Sequence, residues 1–134
     1  MNRVLLDASG YSALFRNHPG VRRALQECGE ILLSPIVLGE IRSGFLGGAR
    51  LRANERELAE FLSSERVSVL PIDEETSQRY AVILHGLRRA GTPINSNDLW
   101  IAASAMQHGL TVITTDKDFE RVPQIITSCF DPKG

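Results

Sequence analysis

Short apolar runs alternate along this chain with longer segments whose apolar residues recur at helical spacing, the pattern of strands joined by helical crossovers. Val4-Leu5-Leu6, Ile31-Leu32-Leu33, Val67 to Leu70, Leu110 to Thr115 and Gln124 to Thr127 read as strands. The first two are apolar at every position, as central parallel strands covered on both faces require. The fourth is rich in β-branched residues. Helices are expected from about Ser9 to a break at Pro19-Gly20, and from Val21 to Cys28 with Gly29 as the C-cap residue. Further helices should run from Ile36 to Leu46 behind a Ser34-Pro35 cap, from Arg50 to Ser64, and from Glu74 to Ala90. Gly47-Gly48 reads as a hinge, and Asp118-Phe119 falls in a short turn before Pro123. The chain reads as a single domain over residues 1–130, with residues 131–134 as a frayed tail.

The last helix stands apart. Asn95, Ser96 and Asn97 are all competent N-caps, and Pro93 discourages an earlier turn, so the helix should begin next to Asp98 and run to His108. It is apolar almost all round, which is the mark of a buried helix, so Asp98 in its first turn is carried toward the middle of the domain. The macrodipole favours an acid in that turn of any helix. Asp98 therefore acquires meaning only from its company.

Asp7 ends the first strand and Asp116 follows the fourth. On a helical wheel Glu40 lies between Ile36 and Val37, where a solvated acid does not belong; a buried carboxylate there needs a cation, a hydrogen-bond network or a cleft. Parallel strands with right-handed crossovers leave a crevice beyond their carboxyl ends. If the first and fourth strands are neighbours, Asp7 and Asp116 face each other across it, Asp98 leads in from its helix, and Glu40 overhangs from the side. Two carboxylates about 4 Å apart repel by about 4 kcal/mol at an effective dielectric near 20, which raises one pKa by about three units. Such a nest calls for a positive guest. Oxygen ligands without a matching His or Cys set point to Mg²⁺ or Mn²⁺ rather than zinc, and an ion held there suits phosphodiester hydrolysis.

Composition changes this picture little. The 134 residues are 43% hydrophobic and 23% charged with a formal charge of -1, ordinary values that neither predict nor exclude nucleic acid. Lysine occurs only at Lys117 and Lys133. Arg16, Arg42, Arg79, Arg88, Arg89 and the helix from Arg50 to Arg56 either flank an RNA groove or are solvated surface. Phe15, Phe45 and Leu46 either belong to the core or line a groove for a partner helix. Asp73-Glu74-Glu75 reads as a helix cap, His18 as solvated, and His85 and His108 as helix residues without a metal role. Cys28 and Cys129 lie in no metal or redox spacing, and no apolar run is long enough to span a membrane, so a reduced, cytoplasmic protein is expected.

Four blocks together carry a resemblance. Leu5-Leu6-Asp7-Ala8-Ser9, Val37-Leu38-Gly39-Glu40-Ile41, Asn97-Asp98-Leu99-Trp100-Ile101-Ala102-Ala103 and Thr114-Thr115-Asp116-Lys117-Asp118-Phe119 resemble, in order and spacing, the acidic blocks of PIN-domain ribonucleases. The size is similar to that of the VapC-type toxins of toxin–antitoxin pairs. The resemblance implies a PIN-like α/β three-layer sandwich with a five-stranded parallel sheet in the order 3-2-1-4-5. It further implies a Mg²⁺- or Mn²⁺-dependent endoribonuclease, usually a homodimer, neutralised by a cognate antitoxin protein. Asp7, Glu40, Asp98 and Asp116 take the catalytic and metal-binding positions. Ser9 takes the small polar position beside the first acid, where relatives carry Asn or Thr. Thr115 is a candidate to hydrogen-bond Asp116 or a phosphate, and Asp118 is a supporting acid or helix cap before it is a direct ligand. Rival readings are a PIN-like RNA-binding module without catalysis, and a receiver-like Mg²⁺-binding signalling domain, which would want a second acid directly after Asp7 where Ala8 stands. A haloacid-dehalogenase-like phosphatase would want an Asp at Ser9.

Overall fold

The structure is a computed structural model that describes residues 2–134. Among these residues the chain runs β1 (Arg3–Leu6), α1 (Ala8–Phe15), α2 (Pro19–Glu27), β2 (Glu30–Leu33), α3 (Pro35–Leu46) and α4 (Leu51–Leu62). It continues through β3 (Val67–Val69), α5 (Glu74–Ala90), α6 (Ser96–His108), β4 (Thr111–Thr114), a 3₁₀ turn (Lys117–Arg121) and β5 (Ile126–Cys129). The strands form one parallel sheet in the order β3-β2-β1-β4-β5. Leu5 and Leu6 point to opposite faces of β1 and both are wholly buried, so helices cover the sheet on both sides and the fold has three layers. Leu6 pairs with Ile113, and the Asp7 N–H donates to the Ile113 carbonyl at 3.3 Å. β1 and β4 therefore end together, and the residues that follow them share one edge of the sheet.

Local chemistry fixes most element ends where the residue types indicate. α5 begins with a capping box in which Asp73 accepts from the Thr76 N–H and Thr76 Oγ1 accepts from the Asp73 N–H, and it stops at Gly91 with φ of 71°. α6 is capped by Asn95 and stops at Gly109 with φ of 64°. Among the described residues no helix is long and apolar enough to cross a membrane, and both cysteines are free.

Four places differ from expectation. Pro19 opens α2 at a tolerated first position instead of only breaking the chain, and α2 ends at Cys28 in extended backbone without using Gly29. His18 is buried rather than solvated: its Nδ1 accepts from the Gly20 and Val21 N–H groups at 3.1 and 3.2 Å as the N-cap. Its Nε2 then carries the proton and donates to the Asp131 carbonyl at 2.6 Å. β5 lies two residues further on than expected, because the 3₁₀ turn buries Phe119 and Val122 before the strand can pair, and Thr111 meets Ile126. The last residues, expected to fray, are tied back: Phe130 N–H donates to the Thr114 carbonyl at 2.9 Å, its ring stands edge-on to His18, and Arg16 donates to the Pro132 carbonyl.

Candidate active site

Asp7 directly follows β1 and is the N-cap of α1. Its Oδ1 accepts from the Gly10 N–H at 2.8 Å and from Ser9 Oγ at 2.9 Å, and its Oδ2 accepts from Thr114 Oγ1 at 2.7 Å. A Cβ on Gly10 would sit 2.7 Å from the Ile113 carbonyl oxygen, so only glycine lets α1 come this close to β4. Burial pushes the Asp7 pKa up to about 6, outweighing the hydrogen bonds from Gly10, Thr114 and Ser9 that pull it down; the charge on Asp116 adds to the rise.

Asp98 enters from α6. Asn95 holds it twice, its Oδ1 accepting the Asp98 N–H and its Nδ2 donating to Asp98 Oδ2, both at 2.9 Å. One carboxylate oxygen is thereby committed and the other left open. The Asp98 pKa is pushed up to about 7, first by burial and then by the charges on Asp116, Glu40 and Asp7. The other three acids singled out in the sequence thus all oppose ionisation of Asp98.

Asp116 caps the 3₁₀ turn, its Oδ1 accepting the Asp118 N–H at 2.9 Å. Asp118 faces Arg121 at 3.6 Å, and Arg121 also donates to the Pro93 carbonyl at 2.9 Å. Asp98, Asp116 and Asp118 each present an oxygen within 4.8 Å of the others. Asp118 thus stands with the two acids beside it and not behind them. Glu40 on α3 is half-buried, with its Oε2 accepting from Asn97 Nδ2 at 3.4 Å.

Thr114 is a site residue that its place in the sequence does not mark out. Its hydroxyl donates to Asp7, accepts the Asp116 N–H at 2.9 Å and lies 3.1 Å from Ser9 Oγ, so one side chain braces both strand-end acids. Thr115, which was singled out, contributes its backbone N–H to Ser9 Oγ at 3.0 Å. Strand alternation held the signal: Thr114 shares a face with buried Val112, so it is a hydroxyl at a fully buried position.

The donor set fits a hard divalent cation. Among the described residues the cluster able to hold an ion contains carboxylates alone, and its buried member Asp98 has a pKa raised first by burial and then by the charges of neighbouring acids. Each of Asp98, Asp116 and Asp118 keeps an oxygen that local capping has not claimed.

The sequence model of the PIN domain family matches residues 4–125. Ribonuclease VapC4 of Mycobacterium tuberculosis is 36% identical over 93 residues, covering 69% of this chain and 72% of that protein. Ribonuclease VapC2 of Rickettsia felis is 30% identical over 102 residues, covering 75% of each. Among solved structures, VapBC2 from Rickettsia felis bound to a DNA fragment from its promoter superposes with a TM-score of 0.85 at 26% identity, covering 96% of this chain and 99% of that one. DNA-bound VapBC from Salmonella typhimurium superposes with a TM-score of 0.83 at 28% identity, covering 96% and 98%.

Proposed function

The chain belongs to the PIN domain family, among its VapC ribonucleases, and from that premise we propose that it is a metal-dependent endoribonuclease acting as the toxin of a toxin–antitoxin pair. The observation that carries the reading is the convergence on Asp98 of carboxylates from three other elements, in a buried place where their charges oppose one another.

Asp98, Asp116 and Asp118 are the residues that would hold Mg²⁺ or Mn²⁺; Glu40 and Asp7 stand outside that cluster and act on Asp98 through their charge. When bound, the ion supplies a lowered pKa for water and an offset to the charge that develops on phosphate. The protein's own part is positioning. Thr114, Ser9 and the Gly10 N–H lock Asp7 in one orientation, and Asn95 aims Asp98 by holding its Oδ2. The raised pKa values keep Asp7 and Asp98 protonated at mildly acidic pH, so both carboxyl protons have to leave before the full negative charge of the site is available. Parallel-strand ends and the α6 N-terminus hold these groups on rigid elements, which is what in-line attack on a phosphodiester demands.

Purified protein should cut single-stranded RNA, lose the activity in chelator, and regain it when Mg²⁺ or Mn²⁺ is restored. RNA left intact under every ion condition would overturn the proposal. The antitoxin partner is tested separately, by co-purification with the product of the adjacent reading frame, and the homodimer by light scattering of the isolated chain.

A further inference from the structure

Beside the acids an open cleft of about 520 Å³ lies between α3 and the first turn of α6, lined by Pro35, Ile36, Gly39, Glu40, Ser43 and Asn97. Glu40 belongs to this cleft as well as to the acid nest, and Asn97 directly precedes Asp98, so an occupant of the cleft is adjacent to whatever the acids hold. We propose that the cleft is the subsite for one unstacked nucleobase next to the scissile phosphate, an inference that rests on the ribonuclease reading and adds to it the source of sequence preference.

The lining decides the class of ligand. It contains no lysine or arginine and does contain a carboxylate, which makes it a poor place for phosphate and leaves the uncharged base as the part of RNA that fits. Its volume lies within the range of small-ligand pockets. Pro35 and Ile36 offer apolar contact to a ring face, while Ser43 and Asn97 offer hydrogen-bonding groups to a ring edge. The Asn97 amide makes one long bond, to Glu40 at 3.4 Å, which leaves an N–H and the carbonyl uncommitted by that bond. A donor beside an acceptor is the pattern that a carboxamide reads on a base edge, and sequence-specific RNA recognition works mostly on unpaired bases turned out of the stack.

Gly39 supports the assignment from a different direction. Glycine in a helix interior is destabilising relative to alanine. Here neither backbone nor crowding asks for it, because Gly39 is not among the positive-φ residues and an added Cβ would meet nothing within 4 Å. The space over Gly39 is room that the folded chain itself does not use.

Two measurements test the proposal. Adenosine, cytidine, guanosine and uridine, which carry no phosphate, are titrated into metal-free protein while amide signals are followed by NMR. One of them should shift Gly39, Ser43 and Asn97 saturably, and Gly39→Leu, which fills the cleft, should weaken that binding at least about tenfold. Gly39→Leu should melt at or above the wild-type temperature, since it replaces a helical glycine with a better helix former. No shift with any nucleoside, or equal binding by Gly39→Leu, overturns the subsite. Separately, cut sites are mapped on RNA of random sequence. Wild type should favour one base at a position flanking the cut, and Asn97→Ala and Gly39→Leu should each flatten that bias by about tenfold, the scale of a two-bond base contact. An unchanged bias overturns the subsite and leaves the ribonuclease reading standing. Absence of any cutting by wild type overturns the ribonuclease reading, and the nucleoside titration still decides the cleft.

Discussion

Asp7 and Asp73 do the same local work at two helix starts. Both lie in extended backbone at an N-cap, both accept the N–H three residues on, at 2.8 and 3.1 Å, and both take a threonine hydroxyl, from Thr114 and from Thr76. Their acidities part company. Asp73 is exposed, and hydrogen bonds from Gln107 and the Thr76 N–H hold its carboxyl below the usual range. Asp7 is buried and its pKa rises to about 6 in spite of comparable donors. Hydrogen bonds stabilise the charged form in both places; removal of water and the charge on Asp116 reverse the result in one. A protein that keeps acids where ionisation is opposed has a use for the charge, whereas the Asp73 corner is complete as it stands.

The largest effect that separates the two regions is on cleavage. Asp98→Asn preserves the shape and the Asn95 contacts to a side chain whose ionised form is opposed by its surroundings, so the metal-free protein should melt no lower than wild type. RNA cleavage should fall by about 10²–10³-fold, the scale on which a group that stabilises transition-state charge is missed. Asp73→Asn should leave cleavage as it was. Undiminished cutting by pure Asp98→Asn would remove the distinction drawn between the two regions.

Stability against pH separates them next. Asp98 and Asp7 have folded pKa values of about 7 and about 6, above the ordinary 3.8, so between about pH 4 and pH 7 the folded state binds more protons than the unfolded chain. Metal-free protein should therefore lose stability as pH rises through that window and level off above it. Asp73 has the opposite sign and a different window: its lowered pKa contributes stability above pH 4 that is lost on further acidification. Saturating Mg²⁺ near pH 7.5 should restore the loss caused by the nest, by about 2.7 kcal/mol at a hundredfold excess over Kd. Calorimetric melts at pH 5 and 7.5, with chelator and with Mg²⁺, read both slopes. A chelated protein whose melting temperature rises from pH 5 to 7.5 contradicts the burial of charge in the nest.

Much of this was legible along the chain, and the exceptions have physical causes. Apolar runs and caps located the α-helices and the first four strands, and α5 falls at Glu74–Ala90 as expected, because its cap, its periodicity and Gly91 agree. β5 slipped because a 3₁₀ turn has no apolar period to announce it. His18 was misread because a histidine that caps a helix through Nδ1 looks no different in sequence from a solvated one. The acids were visible individually at strand ends and helix starts. What sequence could not supply was their separation, and so the place of Asp118 next to Asp98 and Asp116. Thr114 was hidden in a β-branched run where threonine passes for a strand former.

Thr114 gives a smaller, local way to sharpen the contrast. Thr114→Val keeps the shape of the side chain and removes the hydroxyl, leaving Asp7 Oδ2 with one donor fewer and the Asp116 N–H without its acceptor. Urea unfolding should report a loss of about 1–3 kcal/mol. Mn²⁺ affinity, followed by electron paramagnetic resonance, should weaken by about tenfold or more, as when a group that orients a metal ligand is removed. Thr114→Ser should recover both. Equal Mn²⁺ affinity in Thr114→Val would mean that the brace between the strand-end acids has no influence on the ion.

The smallest effect belongs to Asp73 and is the control for the rest. Asp73→Ala removes the acceptor for the Thr76 N–H and for Gln107 Nε2, which bonds Asp73 Oδ1 at 2.9 Å and ties the start of α5 to α6. The melting temperature should drop by a few degrees through the lost cap. Gln107 stands at the opposite end of α6 from Asp98, and α6 is buried along most of its length between them, so the loss should stay at the α5 corner. RNA cleavage and Mn²⁺ affinity should match wild type. If Asp73→Ala weakened Mn²⁺ binding as much as Thr114→Val does, α6 would be transmitting strain from one end to the other. The acid nest would then depend on the whole α5 and α6 pair, and not on the strand ends and caps that touch it.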